Sequence, residues 1–429
     1  METRCFALSL AVLLVSTACS PKPSSDLSVS VMGLSLDSGR QLRIESLDSF
    51  TQNTGVHVDL IPTLGSSADQ LAQYVRLLKQ HASTPDVYLI DVIFTGTLGD
   101  DFLDLTQYRE SVSQTHLSEL LQNDTIQGRL VSLPFYVNVG MMYYRTDLLK
   151  KYGYAHPPAT WRELESMASR IQKSERAAGN HAFWGYVWQG GQYEGLTCNA
   201  LEWQASFGGG RIIEPDGTIS VNNRSTIESL KIATHWLGAI SPPSVLSYTE
   251  SDSLNVFSSG NAAFLRHWSG GFPSSRARDS VIAGKFSMAP LPGGPRGAAQ
   301  VMGGFHFGVS RYSNHPRESV QLVLHLTSPE VQMRRALSGG YLPTIPVLYQ
   351  KPELQRALPY VATFQETGAS AWIARPSAVC GNKYAQVSQA YYGAVHDVLS
   401  GKVAADTAMA ELERHLVQLT GFRTGPPPN

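Results

Sequence analysis

LSVSVMG (Leu27–Gly33), VHVDL (Val56–Leu60) and DVYLI (Asp86–Ile90) are three short apolar runs separated by two longer amphipathic ones. In the second run Val56, Val58 and Leu60 alternate with His57 and Asp59, the two-residue period of a strand with unlike faces. A helical segment from about Ser38 to Asn53 fills the first gap, and Gly55 stops it. In the second gap Ser67-Ala68-Asp69-Gln70 has the form of a capping box. It opens a helix that carries Leu71, Tyr74, Val75 and Leu78 on one face. Pro85 then resets the chain into the third strand. Strand, helix, strand, helix, strand is the grammar of an open parallel sheet.

Outward from this core the grammar repeats. Leu133 to Tyr144 is strand-like, rich in Val, Phe, Tyr and Met. Thr160-Trp161-Arg162-Glu163 and Ser225-Thr226-Ile227-Glu228 are two further capping-box patterns. The first leads into Trp161, Leu164, Met167 and Ile171 at helical spacing, closed by Gly179. A loop rich in proline and glycine spans Ala289 to Gly297, and Phe305 to Val309 reads as a strand. Helices are expected from about Pro316 to Leu326 and from Ala404 to Thr420, with residues 421–429 as a loose tail. The expectation is an α/β chain with two lobes and a cleft between them, where open sheets place ligands beyond the carboxyl ends of their strands.

The 429 residues carry 34 basic and 35 acidic side chains, a formal net charge of −1. That balance offers no basic face for phosphates and argues against nucleic-acid binding. At the start, Arg4 precedes an apolar run from Phe6 to Val15, too short to span a bilayer, followed by Ser16, Thr17, Ala18 and Cys19. This is the form of a secretion signal over residues 1–18. The small-residue site before Cys19 resembles a bacterial lipobox, with Ser16 standing where leucine is usual and Glu2 diluting the positive start. Residues 19–26 then read as a lipidated cysteine and its tether, and the protein as exported and membrane-anchored through Cys19. Cys5 would leave with the signal, so Cys198 and Cys380 remain, an even number in an oxidising compartment. One long-range disulfide between them is expected; two separate buried thiols are the alternative.

Motifs of catalysis are missing. The chain has no H-E-x-x-H, G-x-S-x-G, P-loop or strand-linked G-x-G-x-x-G, and its histidines lack metal-ligand spacing. No cofactor and no metal are expected. Distant carboxylates such as Asp91, Glu194 and Glu202 leave an exported carbohydrate-active hydrolase or lyase as the alternative reading. Trp184, Tyr186, Trp188, Tyr193 and Trp203 fall within twenty residues, interleaved with Gln189, Gln192, Glu194 and Asn199. Sugars stack their C–H faces on such rings and exchange hydrogen bonds with such polar groups. For most of these rings taken singly, core packing is the better reading.

Phe257-x-x-Gly260-x-Ala262-Ala263-Phe264, followed by Trp268, resembles the pattern of family-1 extracellular solute-binding proteins of the sugar-binding type. Its glycine is read as a tight entry into a helix of small residues. Leu133 to Arg145 looks like that family's crossover between lobes, and Tyr193-Glu194-Gly195-Leu196 and Met302-Gly303-Gly304-Phe305-His306 are similar too. Within it, the trehalose/maltose-binding branch is the nearest likeness, through Tyr193 to Leu196 and Ala374-Arg375-Pro376. The resemblance implies a type II periplasmic-binding-protein fold whose two α/β lobes, joined by hinge strands, close on ligand. The first lobe would hold residues 27–135 plus about 300–345, and the second about 136–299 plus about 346–420.

The resemblance also implies the site. Asp91 would accept sugar hydroxyls at its strand's end, with Asp37 a lesser candidate near the end of the first strand. Asn138 stands where many relatives have aspartate, a neutral hydroxyl partner. Trp268 would stack on a sugar ring, Gly303 and Gly304 would offer backbone amides, and Arg375 would donate a bidentate pair. Tyr193 and Glu194 would line the second lobe's wall, and Phe305 replaces an expected tryptophan. The implied role is capture of a disaccharide or small oligosaccharide for an ABC-transporter permease, by a monomer that is not an enzyme.

Overall fold

The computed structural model describes residues 27–34, 40–63, 67–113, 115–271, 280–361 and 371–428. Asp37 and Cys19 lie outside these residues. Strands β1 (Ser28–Met32), β2 (His57–Ile61) and β3 (Val87–Asp91) form the expected parallel unit in the order β2-β1-β3. Helices Arg40–Thr54 and Ser67–Lys79 make the two crossovers. Tyr74 and Leu78 are fully buried, so the helix presents the apolar stripe that its sequence spacing predicts.

A short hairpin, β4 (Thr125–Ile126) and β5 (Arg129–Leu130), precedes the strand that organises the molecule, β6 (Leu133–Arg145). Its thirteen residues serve two neighbourhoods. Leu133 to Val139 pair antiparallel with β10 (Gln300–Val309), which in turn pairs antiparallel with β3. Gly140 to Arg145 pair instead with β8 (Ala262–Trp268) and β9 (Phe286–Ala289). β7 (Trp184–Val187) adds to β8 in parallel, and the two-residue β11 (Trp372–Ile373) pairs with the start of β10. The sheet path β2-β1-β3-β10-β6-β8-β7 therefore runs through both lobes without interruption.

Helix Trp161–Ala177 starts as its sequence predicts, with the Thr160 hydroxyl accepting from the Glu163 N–H. It packs on β7, while Tyr384–Leu399 packs on Glu194–Ser206 and on Ala405–Thr420. Between them lies a core of indoles. Trp188 and Trp203 meet edge to face at 5.0 Å, Trp203 and Trp236 at 5.7 Å, and Tyr186 joins Trp236 at 5.6 Å. Tyr186, Trp188 and Trp203 thus have the core role that single-ring reasoning favours. Trp184 lies under the Arg176 guanidinium, 4.2 Å from the ring centre.

Four sequence expectations are corrected. Residues 262–264 are strand, not helix; Gly260, at φ 83°, ends helix Glu250–Ser258 and turns the chain into β8. The helix expected to begin at Ser225 is capped earlier, by Asn223, whose side chain accepts from the Thr226 N–H. The tail is docked rather than loose. The Gly425 N–H donates to the Ile219 carbonyl at 3.1 Å, the Ile219 N–H to the Arg423 carbonyl at 2.8 Å, and Arg423 pairs with Asp216 at 3.1 Å. Cys198 and Cys380 are both free and buried, so the expected disulfide is not formed.

Burial pushes both thiols up to about 12, which leaves them protonated and unreactive. Alkylation of the native protein with iodoacetamide, followed by peptide mapping, is therefore expected to leave Cys198 and Cys380 unmodified. Unfolding without a reductant should expose both to complete alkylation. Either residue recovered as a disulfide under those conditions would contradict the free-thiol arrangement.

Candidate functional site

Where β3 ends and β6, β8 and β10 cross, the polar residues named from sequence converge. Asp91 is the last residue of β3 and faces Phe305 across the β3–β10 ladder. Phe305 faces Tyr136 on β6, and the two rings stack at 5.5 Å; Tyr341 adds a third ring 4.7 Å from Tyr136. A row of partly exposed aromatics therefore begins beside the Asp91 carboxylate.

Arg375 ties the end of β3 to the start of helix Glu194–Ser206. Its Nη1 donates to Glu194 Oε1 at 2.8 Å, and its Nη2 donates to the Met302 carbonyl at 3.3 Å and lies 3.8 Å from Asp91 Oδ1. The side chain is only 4% exposed, yet its Nε has no acceptor among the described residues. A buried guanidinium N–H without a partner is a place for a ligand oxygen. Glu194, at the first turn of helix Glu194–Ser206, also accepts from the Tyr384 hydroxyl and, at 2.5 Å, from the Ser388 hydroxyl.

From Glu194 the chain of contacts continues to the indole. The Tyr193 hydroxyl donates to Glu250 Oε2 at 2.7 Å, and Trp268 Nε1 donates to Glu250 Oε1 at 3.1 Å. Trp268 lies across Gly303, where a Cβ would come within 3.1 Å of the indole ring. The Gly303-Gly304 pair thus has packing reasons of its own: Gly304 has φ 135°, and a Cβ there would stand 2.3 Å from the Tyr136 carbonyl oxygen. Asn138 faces Gly303 in the ladder. Its side-chain oxygen accepts from the Ser269 hydroxyl and the Gly270 N–H, both at 3.0 Å, which fixes the turn after Trp268 and leaves its amide nitrogen as the donor it can present.

Burial pushes the Asp91 carboxyl up from the ordinary aspartate range, while Arg375 and the Ile93 N–H pull it back. Glu202, named with Asp91 and Glu194 for a hydrolase, is not at the surface of this site. It is completely buried and paired with Arg266. Asp91, Asn138, Tyr193, Glu194, Trp268, Gly303, Gly304 and Arg375 are therefore brought together. Sequence reasoning missed Glu250, Tyr384 and Ser388. Only the i, i+4 spacing of Tyr384 and Ser388 on one helix offered a signal.

A separate open groove of about 820 Å³ lies among Trp161, Arg162, Glu165, Phe207 and Pro295. It contains none of the converging groups. Among the described residues no cluster of His, Cys, Asp and Glu could hold a metal, and no helix is long and apolar enough to cross a membrane.

Comparison with known proteins gives the family and the fold. Residues 37–333 match the family described as bacterial extracellular solute-binding protein. A probable ABC transporter-binding protein of Deinococcus radiodurans is 41% identical over 376 residues, 87% of this chain and 89% of its own. The maltodextrin-binding protein MdxE of Bacillus subtilis is 24% identical over 72% of this chain and 71% of its own. Among solved structures, maltose-bound MalE3 of T. maritima superposes with a TM-score of 0.81 at 29% identity, covering 92% of this chain and 100% of that one. The fold is the two-lobed, type II periplasmic-binding-protein fold, and the chain belongs to the bacterial extracellular solute-binding protein family.

Proposed function

We propose that the protein captures a neutral disaccharide or small oligosaccharide between its lobes and delivers it to the membrane subunits of an ABC importer, with a trehalose- or maltose-like α-glucoside as the ligand. The observation that carries this reading is the cross-lobe bridge beside an indole: Arg375 joins Asp91 and Glu194, and Glu250 links Tyr193 to Trp268. A sugar needs such a set, with a flat apolar surface for its C–H face and charged acceptors and donors for its hydroxyls. Two carboxylates, Asp91 and Glu194, flank the Arg375 guanidinium and a third, Glu250, stands at Tyr193 and Trp268, so carboxylates outnumber the guanidinium here and the site disfavours phosphorylated or acidic ligands. The maltose and maltodextrin named for the relatives above support the α-glucoside choice.

The family is one of solute-binding proteins and not of hydrolases, and the carboxylates fit that role. Glu202 is sealed in an ion pair, and Glu194 already accepts from Arg375, Tyr384 and Ser388. In this reading the protein is exported, works as a monomer and is tethered by an acylated Cys19. The lobes close because the sugar touches both.

Isothermal titration against maltose, trehalose, sucrose and glucose 6-phosphate tests the proposal. Saturable binding of at least one α-glucoside in the micromolar range, about −8 kcal/mol, is expected, with none of the phosphate. A folded protein that binds no sugar, or that prefers the phosphate, would overturn it.

A further inference from the structure

Behind Trp268 lies a polar cluster that plays no part in the contacts above. Glu202 and Arg266 are both completely buried. Arg266 Nε donates to Glu202 Oε2 at 2.9 Å and Nη2 to Oε1 at 2.6 Å, a bidentate pair, while Nη1 reaches Gln189 Oε1 at 3.3 Å. Glu202 Oε1 also accepts from the Val301 N–H on β10 at 3.0 Å. On β6 the pair fills the place of a side chain: a Cβ at Gly140 would stand 2.0 Å from Glu202 Oε1 and 2.8 Å from Arg266 Nη2. The dyad therefore touches β6, β8 and β10 together, where the sheet passes from one lobe to the other.

The same guanidinium meets the indole. Arg266 Cζ lies 4.2 Å from the centre of the Trp268 ring, close enough for a cation–π contact. Trp268 is then fixed three ways: by Arg266 against its ring, by Glu250 at its N–H and by the glycine gap at position 303 beneath its six-membered ring. A buried ion pair adds little net stability over a well-packed apolar pair of similar volume. Fold stability alone is therefore a weak reason for this one.

We propose that Arg266 and Glu202 form a positioning pair, which holds the Trp268 indole in its stacking orientation and couples that orientation to hinge strand β10. The guanidinium packs on the indole, and the part of the ring that stays exposed is what a sugar ring would meet. The bond from Glu202 to the Val301 N–H means that a shift of β10 during lobe closure is felt at the ring. An indole already ordered before the ligand arrives removes part of the entropy lost on binding. This inference rests on the carbohydrate reading, in which Trp268 meets the sugar.

The test uses the full chain and the variants Arg266→Lys, Glu202→Gln and Trp268→Phe. Lysine keeps the charge but cannot make the planar bidentate pair. Glu202→Gln keeps the shape and serves if the lysine variant does not fold. Well below each melting temperature, maltose affinity is expected to fall about fivefold in Arg266→Lys, with unchanged stoichiometry. Near-UV circular dichroism of the ligand-free protein should lose the same band that Trp268→Phe removes. Combining Arg266→Lys with Trp268→Phe should weaken binding no further than Trp268→Phe alone, because the two act through one ring. A purely structural pair would lower the stoichiometry and leave the affinity of the folded fraction intact, and that result would overturn the proposal. If the unaltered protein binds no sugar, the carbohydrate reading alone fails. The dichroism still decides the positioning role, which an unchanged Trp268 band in both dyad variants would refute.

Discussion

Replacing Asp91 by alanine is expected to weaken α-glucoside binding by about 10- to 100-fold while leaving the melting temperature of the ligand-free protein unchanged or higher. A hydrogen bond to a charged group contributes about 1.5–3 kcal/mol, and each 1.4 kcal/mol is tenfold in affinity. Asp91 sits at the end of β3, and among the described residues its carboxylate accepts from the Ile93 N–H at 3.2 Å and lies 3.8 Å from the Arg375 guanidinium. Its carboxylate thus has capacity left for ligand hydroxyls. Burial raises its pKa, so the folded state binds a proton there more readily than the unfolded one. By linkage the ionised form costs the fold stability at neutral pH, and removing it relieves that cost. Arg375 keeps Glu194 and the Met302 carbonyl in the variant, so no unpaired buried charge is created. The same shift sets the pH dependence: affinity should decline as pH falls through the raised Asp91 pKa, earlier than for an ordinary aspartate. Titration calorimetry across pH, with thermal melts of the free protein, checks both parts. Wild-type affinity in the variant would remove Asp91 from the site, and a large drop in melting temperature would recast it as structural.

How far such roles can be read in advance depends on whether they are local. β6 is legible because Val, Tyr, Phe and Met fill Leu133–Arg145, and the helix after Thr160 because its cap and apolar spacing lie within one segment. The strand at Ala262–Trp268 is misread because Ala262 and Ala263 have no strand preference of their own. They are drawn into the sheet by β6 and β7, which lie far away in sequence. Core and platform aromatics are alike in sequence. Trp188 and Trp203 pack inward, whereas Tyr193, between them in the chain, reaches Glu250 at the site. Glu250 and Glu202 are both ordinary helix residues until the fold places one beside Trp268 and the other beneath it. The docked tail has the same origin: its partners, Ile219 and Asp216, lie about two hundred residues away in sequence. Of the positions carried over from the family resemblance, those among the described residues lie close together, because the crossing strands place their ends together whatever lies between them in sequence.

The second large effect is expected at a residue that is not among the converging polar groups. Gly96 lies in the short helix Thr95–Leu98, just beyond Asp91, and a Cβ there would stand 2.1 Å from the Ser377 carbonyl oxygen. Ser377 opens the segment that leads into helix Tyr384–Leu399 of the opposite lobe, and the Thr97 hydroxyl donates to the Gly381 carbonyl in that segment at 3.3 Å. The obstacle is backbone on both sides, so Gly96→Ala cannot be absorbed by a rotamer change; the two surfaces must separate. Gly96 is in a right-handed helical turn rather than a positive-φ conformation, so alanine suits the helix itself and the free lobe should fold normally. The substitution therefore acts on one equilibrium only, raising the energy of the state in which the lobes touch. Apparent affinity scales with the population of the binding-competent state. A penalty of about 1–3 kcal/mol, typical of overpacking, should weaken sugar binding by about 5- to 150-fold. Small-angle scattering at saturating sugar should show incomplete compaction, while the melting temperature of the ligand-free protein stays near that of the wild type. An unchanged affinity would mean that this contact is not part of closure. A melting temperature many degrees lower would mean that the contact holds the two lobes together with or without ligand.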